Sequence, residues 1–88
     1  MKVVVLYRSK SEHGTPVEEY VREFKRRTSR ELERIDIDTK EGSHLAELYG
    51  VTQYPAILAT SSDGKLQNMW QGEPLPLMNE VMGYAIEQ

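Results

Sequence analysis

The most informative property of this 88-residue chain is that it contains no cysteine. Thiol–disulfide exchange proceeds by attack of a thiolate on a disulfide sulfur, so this chain cannot carry out that reaction by itself. A disulfide bond within the chain is excluded for the same reason, and a domain of this size must then depend on its hydrophobic core. The lack of cysteine fits a reducing compartment, and we expect a cytoplasmic protein.

The sequence also lacks an excess of positive charge and any long apolar run. Its net charge is −3 and its pI is about 5.3, whereas nucleic-acid-binding domains normally carry a basic field. No apolar run approaches the roughly 20 residues of a membrane span, and Met1–Leu6 is too short for the core of a signal peptide. We therefore expect no nucleic-acid and no membrane partner. The one basic cluster, Lys25–Arg27, is interpreted as the solvated last turn of a helix.

The first half of the chain predicts a buried strand followed by a long helix. Val3–Tyr7 is a continuous apolar run rich in β-branched residues, which is typical of a central parallel strand buried on both faces. Thr15, Pro16 and Glu18 then form a capping-box pattern, which predicts a helix with Thr15 as its N-cap. Apolar residues at helical spacing continue this helix to about Thr28.

The second half predicts five shorter elements in one domain covering residues 1–88. They are a strand within Leu32–Asp38, a short helix ending at Tyr49 with Gly50 as its stop, strands at Ala56–Thr60 and Leu66–Gln71 around a turn at Ser61–Gly64, and a last helix from Pro76 to Glu87. The order β-α-β-α-β-β-α predicts an α/β fold, a four-stranded mixed sheet with helices on both faces.

Several short stretches occur in the order and spacing found in the second half of thioredoxins. They are Ile35-Asp36-Ile37-Asp38, Leu48-Tyr49-Gly50-Val51, Tyr54-Pro55-Ala56, Asp63-Gly64-Lys65 and Gly72. On these residues the chain resembles the thioredoxin-like superfamily over nearly its whole length, at about the size of a glutaredoxin. The resemblance implies a thioredoxin-like fold, with Pro55 as the cis-proline that faces the active site of that family.

The departure from the family lies between the first strand and the first long helix, where thioredoxins carry Cys-x-x-Cys. This chain has Ser11-Glu12-His13-Gly14-Thr15 there. The two cysteine positions fall on Ser11 and Gly14 or on Glu12 and Thr15, and neither alignment leaves a redox pair. Dithiol–disulfide oxidoreductase activity is therefore excluded, and the resemblance implies a scaffold without the family's usual chemistry.

The first functional hypothesis is a non-catalytic protein- or peptide-binding module. The resemblance implies that the backbone before the cis-proline, Gln53–Tyr54, pairs with an extended peptide. Tyr54 either adds a contact surface for the partner or packs on its own loop. The expected binding residues are Ser11, Glu12, His13, Gly14, Thr15, Gln53, Tyr54 and Pro55. We expect no cofactor, no metal and no catalytic residue, and a monomer or weak homodimer.

The alternative hypothesis is a glutathione- or thiol-related enzyme that uses a hydroxyl instead of a thiol. Glutathione transferases share this fold and use a Tyr or Ser near the end of the first strand, where this chain has Tyr7 and Ser11. They also carry an acidic-Ser motif after the hairpin, and this chain has Gln67–Trp70 there. Another enzyme activity, acid–base catalysis by Glu12 and His13, also stays open.

Two apolar features near the C-terminus have a structural and a functional interpretation. Trp70 is the only tryptophan, and we expect it to pack against the sheet or the last helix. Met78 and Met82 lie at helical spacing, so they either belong to the core or form an adaptable patch for self-association or a partner.

Overall fold

The computed structural model describes residues 2–12 and 14–85. Its seven elements follow the predicted order and are β1 (Lys2–Tyr7), α1 (Gly14–Thr28), β2 (Glu33–Asp36), α2 (Lys40–Tyr49), β3 (Ala56–Thr60), β4 (Leu66–Gln71) and α3 (Met78–Ala85). The predicted α/β class and the four-stranded mixed sheet are confirmed. Within the described ranges, no helix has the length and apolar composition that a bilayer crossing requires.

The four strands form one sheet in the order β2-β1-β3-β4. β1 is parallel to β2 and antiparallel to β3, and β4 is antiparallel to β3. Leu6, near the end of β1, pairs with Ile35 of β2 and with Ala56 at the start of β3. The ends of β1, β2 and β4 and the start of β3 therefore meet at one end of the sheet.

The sheet separates two apolar clusters because successive side chains of a strand point to opposite faces. On one face, Val5 of β1 packs in a cluster with Phe24 of α1 and Val81 of α3. On the other face, Leu6 packs in a cluster with Ala46 of α2. All side chains from Val3 to Tyr7 are buried, so the prediction of a central strand is confirmed.

The predicted capping box at the start of α1 is wrong. α1 begins at Gly14, so Thr15 already lies inside the helix and is not its N-cap. The carboxylate of Glu18 accepts hydrogen bonds from Tyr7 and Arg34, which lie on β1 and β2. Glu18 therefore binds side chains on two strands, whereas the capping-box pattern predicts that it binds the backbone at the start of the helix.

The other helix boundaries depend on local caps. The Thr39 hydroxyl accepts a hydrogen bond from the Gly42 amide at 3.0 Å and begins α2. Gly50 ends α2 in the left-handed region with φ of 69°, as predicted. β2 is shorter than the predicted stretch, and α3 begins at Met78 rather than at Pro76. The predicted end of this helix, Glu87, lies outside the described residues.

Trp70 packs within the domain, as expected. Its ring meets the ring of Tyr84 edge to face, with centroids 5.6 Å apart, which is a favoured geometry for aromatic pairs. This contact joins β4 to α3 on the face of the sheet that α1 also covers.

Candidate functional site

The end of the sheet where Leu6 pairs with Ala56 brings the two predicted site segments to one surface. The loop after β1 carries Ser11 and Glu12 and continues into the first turn of α1. The segment before β3 ends at Pro55. We call this surface the proline face, and its described members are Ser11, Glu12, Gly14, Thr15, Gln53, Tyr54 and Pro55. His13 lies outside the described residues.

The loop after β1 is closed by hydrogen bonds within itself. The Arg8 carbonyl accepts from the Ser11 amide at 3.1 Å and from the Ser11 hydroxyl at 2.6 Å. The Gly14 amide then donates to the Ser11 carbonyl at 3.1 Å. The Ser11 hydroxyl proton is therefore used to hold the loop, whereas Glu12 and Thr15 are exposed.

Gly14 has no room for a side chain. A Cβ built on its backbone would lie 2.3 Å from the carbonyl oxygen of Ser9. The first turn of α1 therefore packs directly against the backbone of the loop that follows β1.

The segment before β3 is held by Gln71, a residue that sequence reasoning missed. The side-chain oxygen of Gln71 accepts from the Thr52 amide at 2.7 Å and from the Gln53 amide at 3.2 Å. The Gly72 amide also donates to the Pro55 carbonyl at 2.9 Å. No local pattern marks Gln71 for this role, because its partners are 18 and 19 residues away in the chain.

Tyr54 is a member of the proline face, and its peptide bond to Pro55 is cis. Its side chain is half-buried and packs against the cluster beneath α2. Of the two interpretations of this side chain, the structure supports packing on its own domain. Within residues 2–12 and 14–85, the backbone amide and carbonyl of Tyr54 have no hydrogen-bond partner.

Tyr7 is a buried core residue with an internal partner. Its hydroxyl donates to Glu18 Oε2 at 2.5 Å, and Arg34 pairs with the other oxygen of that carboxylate. Burial, together with the hydrogen bond to Glu18, raises the pKa of Tyr7 to about 12. The same hydrogen bond and the Arg34 guanidinium lower the pKa of Glu18. Tyr7 is thus held protonated and donates to Glu18.

The carboxylates that follow β2 are used in local structure. Asp36 Oδ2 accepts from the Ser9 hydroxyl at 2.6 Å, and Oδ1 accepts from the Asp38 amide at 2.9 Å. These hydrogen bonds, that of Ser9 foremost, lower the pKa of Asp36. In the described ranges, no group of three His, Asp or Glu side chains is arranged to hold a metal ion.

Comparison with known proteins gives a match in structure and none in sequence. No protein-family model matches the sequence, and no curated protein matches it. In structure, the chain is similar to thioredoxin 1 from the thermophilic eubacterium Thermosipho africanus TCF52B. The TM-score is 0.65 at 13% sequence identity, and the match covers 96% of this chain and 89% of that chain. The chain therefore has a thioredoxin-like fold, in a sequence that contains no cysteine.

Proposed function

We propose that this domain is a non-catalytic protein- or peptide-binding module and that its binding surface is the proline face. The observation that supports this proposal most directly is the open backbone of Tyr54. Its amide and carbonyl have no partner in the described part of the chain, although neighbouring backbone groups at the end of the sheet are paired. An extended peptide that runs beside Tyr54 satisfies both groups by β-augmentation.

The Gln71 side chain supports the proposal because it holds this backbone in place before a partner arrives. It fixes the amides of Thr52 and Gln53, the two residues that precede Tyr54. A backbone that is already ordered loses less conformational entropy on binding than a mobile loop. Gln71 is therefore a positioning residue for the proposed binding surface.

Sequence preference in the partner depends on the exposed side chains around Tyr54. Glu12 and Thr15 are exposed on one side of the face, and Gln53 is exposed on the other. These groups supply one carboxylate and several hydrogen-bonding atoms with little apolar area. We therefore expect main-chain pairing to provide most of the affinity and polar contacts at the rim to provide the selectivity.

The proposal is tested with linear peptides selected from a random displayed library against the whole domain. Backbone amide chemical shifts of ¹⁵N-labelled protein then locate the bound peptide. We expect the largest changes at Gln53, Tyr54 and Thr15. Each selected peptide is compared with the same sequence N-methylated at successive positions, because a methyl group removes the main-chain donor that faces Tyr54 without changing a side chain.

Three results contradict the proposed function. One is a selection that yields no peptide binding to the folded domain. Another is a set of peptides whose shift changes lie away from the proline face. The third is unchanged affinity for every N-methylated peptide, which excludes main-chain pairing. Reduced glutathione is titrated in parallel, and shift changes around Tyr7, Ser11 and Pro55 would instead support the glutathione-related enzyme.

A further inference from the structure

A shallow apolar groove lies between the last turn of α1 and the start of α3. Its lining residues are Arg27, Thr28, Met78, Asn79 and Met82, and its volume is about 220 Å³. Met78 and Met82 are half-buried, and both pack against the core cluster beneath α1 and α3. Their unbranched side chains adapt to a docked surface. We call this site the methionine groove.

The rim of the methionine groove carries positive charge in an acidic chain. Arg27 is the charged residue among those that line the groove, and Arg26 precedes it in the last turn of α1, whereas the whole chain has a net charge of −3. The Arg27 side chain is 61% exposed and donates to Glu23 at 2.8 Å. Arg26 binds the same carboxylate, so one acidic side chain balances two guanidinium groups beside the groove.

The opposite face of the sheet presents a surface of complementary character. Leu48 on α2 is 60% exposed, although it is a large apolar side chain. Glu47 stands beside it, and Glu41 lies seven residues earlier, which is about two helical turns along the same side. The last turn of α2 contains no basic residue, so the negative end of the helix dipole adds to the charge of Glu47.

We propose that the methionine groove binds α2 of a second copy of this chain. Leu48 of the second copy enters the groove between Met78 and Met82. Glu47 and the C-terminal end of that helix then face the guanidinium groups at the rim. The pairing buries two exposed apolar surfaces against each other and brings opposite charges together at the edge, where complementary charge sets orientation and selectivity.

The positions of the two surfaces determine the symmetry of the contact. The groove lies on the face of the sheet covered by α1 and α3, and Leu48 lies on the face covered by α2. One molecule therefore contributes its groove and the other contributes its helix, a head-to-tail contact that leaves one free groove and one free helix in every pair. Such contacts extend into longer chains unless the rotation between copies closes a ring.

The association is independent of the proposed peptide binding. α1 begins beside the proline face at Gly14 and reaches the groove only at its last turn. A second copy in the groove therefore leaves the backbone of Tyr54 open. Failure of either proposal does not affect the other, since they use different ends of α1.

The experiment uses two variants that each remove one half of the contact. Arg27→Glu reverses the charge at the groove, and Leu48→Asp places a carboxylate on the helix in place of the apolar anchor. Both side chains are exposed, so we expect both variants to fold, which circular dichroism checks. Leu77→Asp is the matched control, because Leu77 is 68% exposed and lines no part of the groove.

Molar mass is measured by sedimentation equilibrium from about 10 μM to about 1 mM, the range of weak association. We expect the mass of the wild type and of Leu77→Asp to rise with concentration and to fall when salt is added. Each variant alone should stay monomeric. An equal mixture of Arg27→Glu and Leu48→Asp should form pairs and nothing larger, because the mixture retains one intact groove and one intact helix per pair.

The mixture separates this contact from other modes of self-association. A wild type that stays monomeric to about 1 mM overturns the proposal. Unchanged association of either single variant also overturns it, because another surface then holds the copies together. A mixture that stays monomeric while the wild type associates shows that the contact is not head-to-tail and equally overturns it.

Discussion

Tyr7, Glu18 and Arg34 form a polar contact at the end of a strand that is otherwise surrounded by apolar side chains. Tyr7 is 6% exposed, and its ring belongs to the core cluster beneath α1. Its hydroxyl finds an acceptor on α1, and that acceptor is neutralised by a guanidinium from β2. The contact therefore joins three successive elements through one carboxylate, and in the described part of the chain no buried side-chain nitrogen or oxygen is left unpaired.

Replacement Tyr7→Phe removes the hydroxyl and keeps the ring. We expect a loss of about 1 kcal/mol in the free energy of unfolding, because a hydrogen bond to a charged acceptor is lost and Glu18 is partly screened by solvent. The measurement is urea unfolding at neutral pH. The pKa of Glu18, followed by carboxyl ¹³C shifts, should move up toward its ordinary value.

Tyr20→Phe is the matched control for that variant. The Tyr20 hydroxyl donates to the neutral carbonyl of Pro76 at 2.8 Å, so its removal should destabilise the domain by a smaller amount. If Tyr7→Phe is as stable as the wild type, or if the pKa of Glu18 does not change, Tyr7 does not stabilise the carboxylate in solution.

Gln71 affects the backbone of the proline face through a single oxygen atom. Gln71→Leu removes the acceptor of the Thr52 and Gln53 amides, so we expect these two amides to exchange with solvent faster by roughly fivefold to tenfold. Gln71→Glu keeps an acceptor of the same length and should leave their exchange nearly unchanged. Hydrogen exchange of the folded protein checks both, and equal rates in all three proteins contradict the role of Gln71.

At the scale of the elements, close backbone contacts at two glycines determine where helices follow strands. A Cβ on Gly14 would lie 2.3 Å from the Ser9 carbonyl oxygen, and a Cβ on Gly42 would lie 2.2 Å from that of Asp36. Each glycine therefore lets the first turn of a helix pack directly against the backbone of the segment that precedes that helix. A side chain at either position would push the helix away from the end of the sheet.

Gly14→Ala and Gly83→Ala separate this steric effect from helix propensity. Alanine is favoured over glycine within helices by about 0.5–1 kcal/mol, and both positions are helical. We expect Gly83→Ala to stabilise the domain, because a Cβ there meets no atom within 4 Å. Gly14→Ala should instead destabilise it by about 1–3 kcal/mol through overpacking. Thermal unfolding checks both, and two shifts of the same sign contradict the explanation.

At the scale of the whole molecule, the ionised carboxylates make stability depend on pH. The pKa of Glu18 is lowered by Tyr7 and Arg34, that of Asp36 by Ser9, and that of Asp63 by Ser61. A lowered pKa in the folded state means that the unfolded chain binds protons first as the pH falls. The stabilisation is therefore complete above the unfolded values near pH 4 and is lost below them.

We expect the urea midpoint to be constant near neutral pH and to fall as the pH drops through about 4 and below. The same experiment at high pH should show a second loss above about pH 10, the ordinary pKa of tyrosine, because burial raises the pKa of Tyr7 and of Tyr20 to about 12. Glu18→Gln should make the urea midpoint fall less at low pH. A midpoint that is unchanged or higher at low pH contradicts this account.

Much of the architecture follows from patterns within a few residues. The apolar run from Val3 to Tyr7 predicted the central strand, and Gly50 predicted the end of α2. Both signals, the pattern of apolar residues and the left-handed cap of a helix, depend only on residues that are close in the sequence. The capping box failed for a physical reason that is equally clear. Glu18 has partners 11 and 16 residues away, and these long-range contacts override the preference of its immediate neighbours.

The proline face could be located from the sequence only through a resemblance to a known fold. The resemblance supplied the residues of its two segments, and the pairing of Leu6 with Ala56 places the end of β1 beside the start of β3. The role of Gln71 and the absence of space at Gly14 were not predicted, and the sequence left open whether Tyr54 packs on its own loop or faces a partner. Each depends on atoms that come together only when the sheet forms, so no local spacing encodes them.

The sequence by itself determined that this chain has no dithiol chemistry, because a residue type that is absent cannot be supplied by folding. It also determined the order of strands and helices, since hydrophobic period and caps act over a few residues. Tertiary structure decided which polar groups are satisfied internally and which remain open. The Tyr7 hydroxyl donates to Glu18, and within residues 2–12 and 14–85 the backbone of Tyr54 has no partner, because hydrogen bonds between distant residues form only after the core has brought them together.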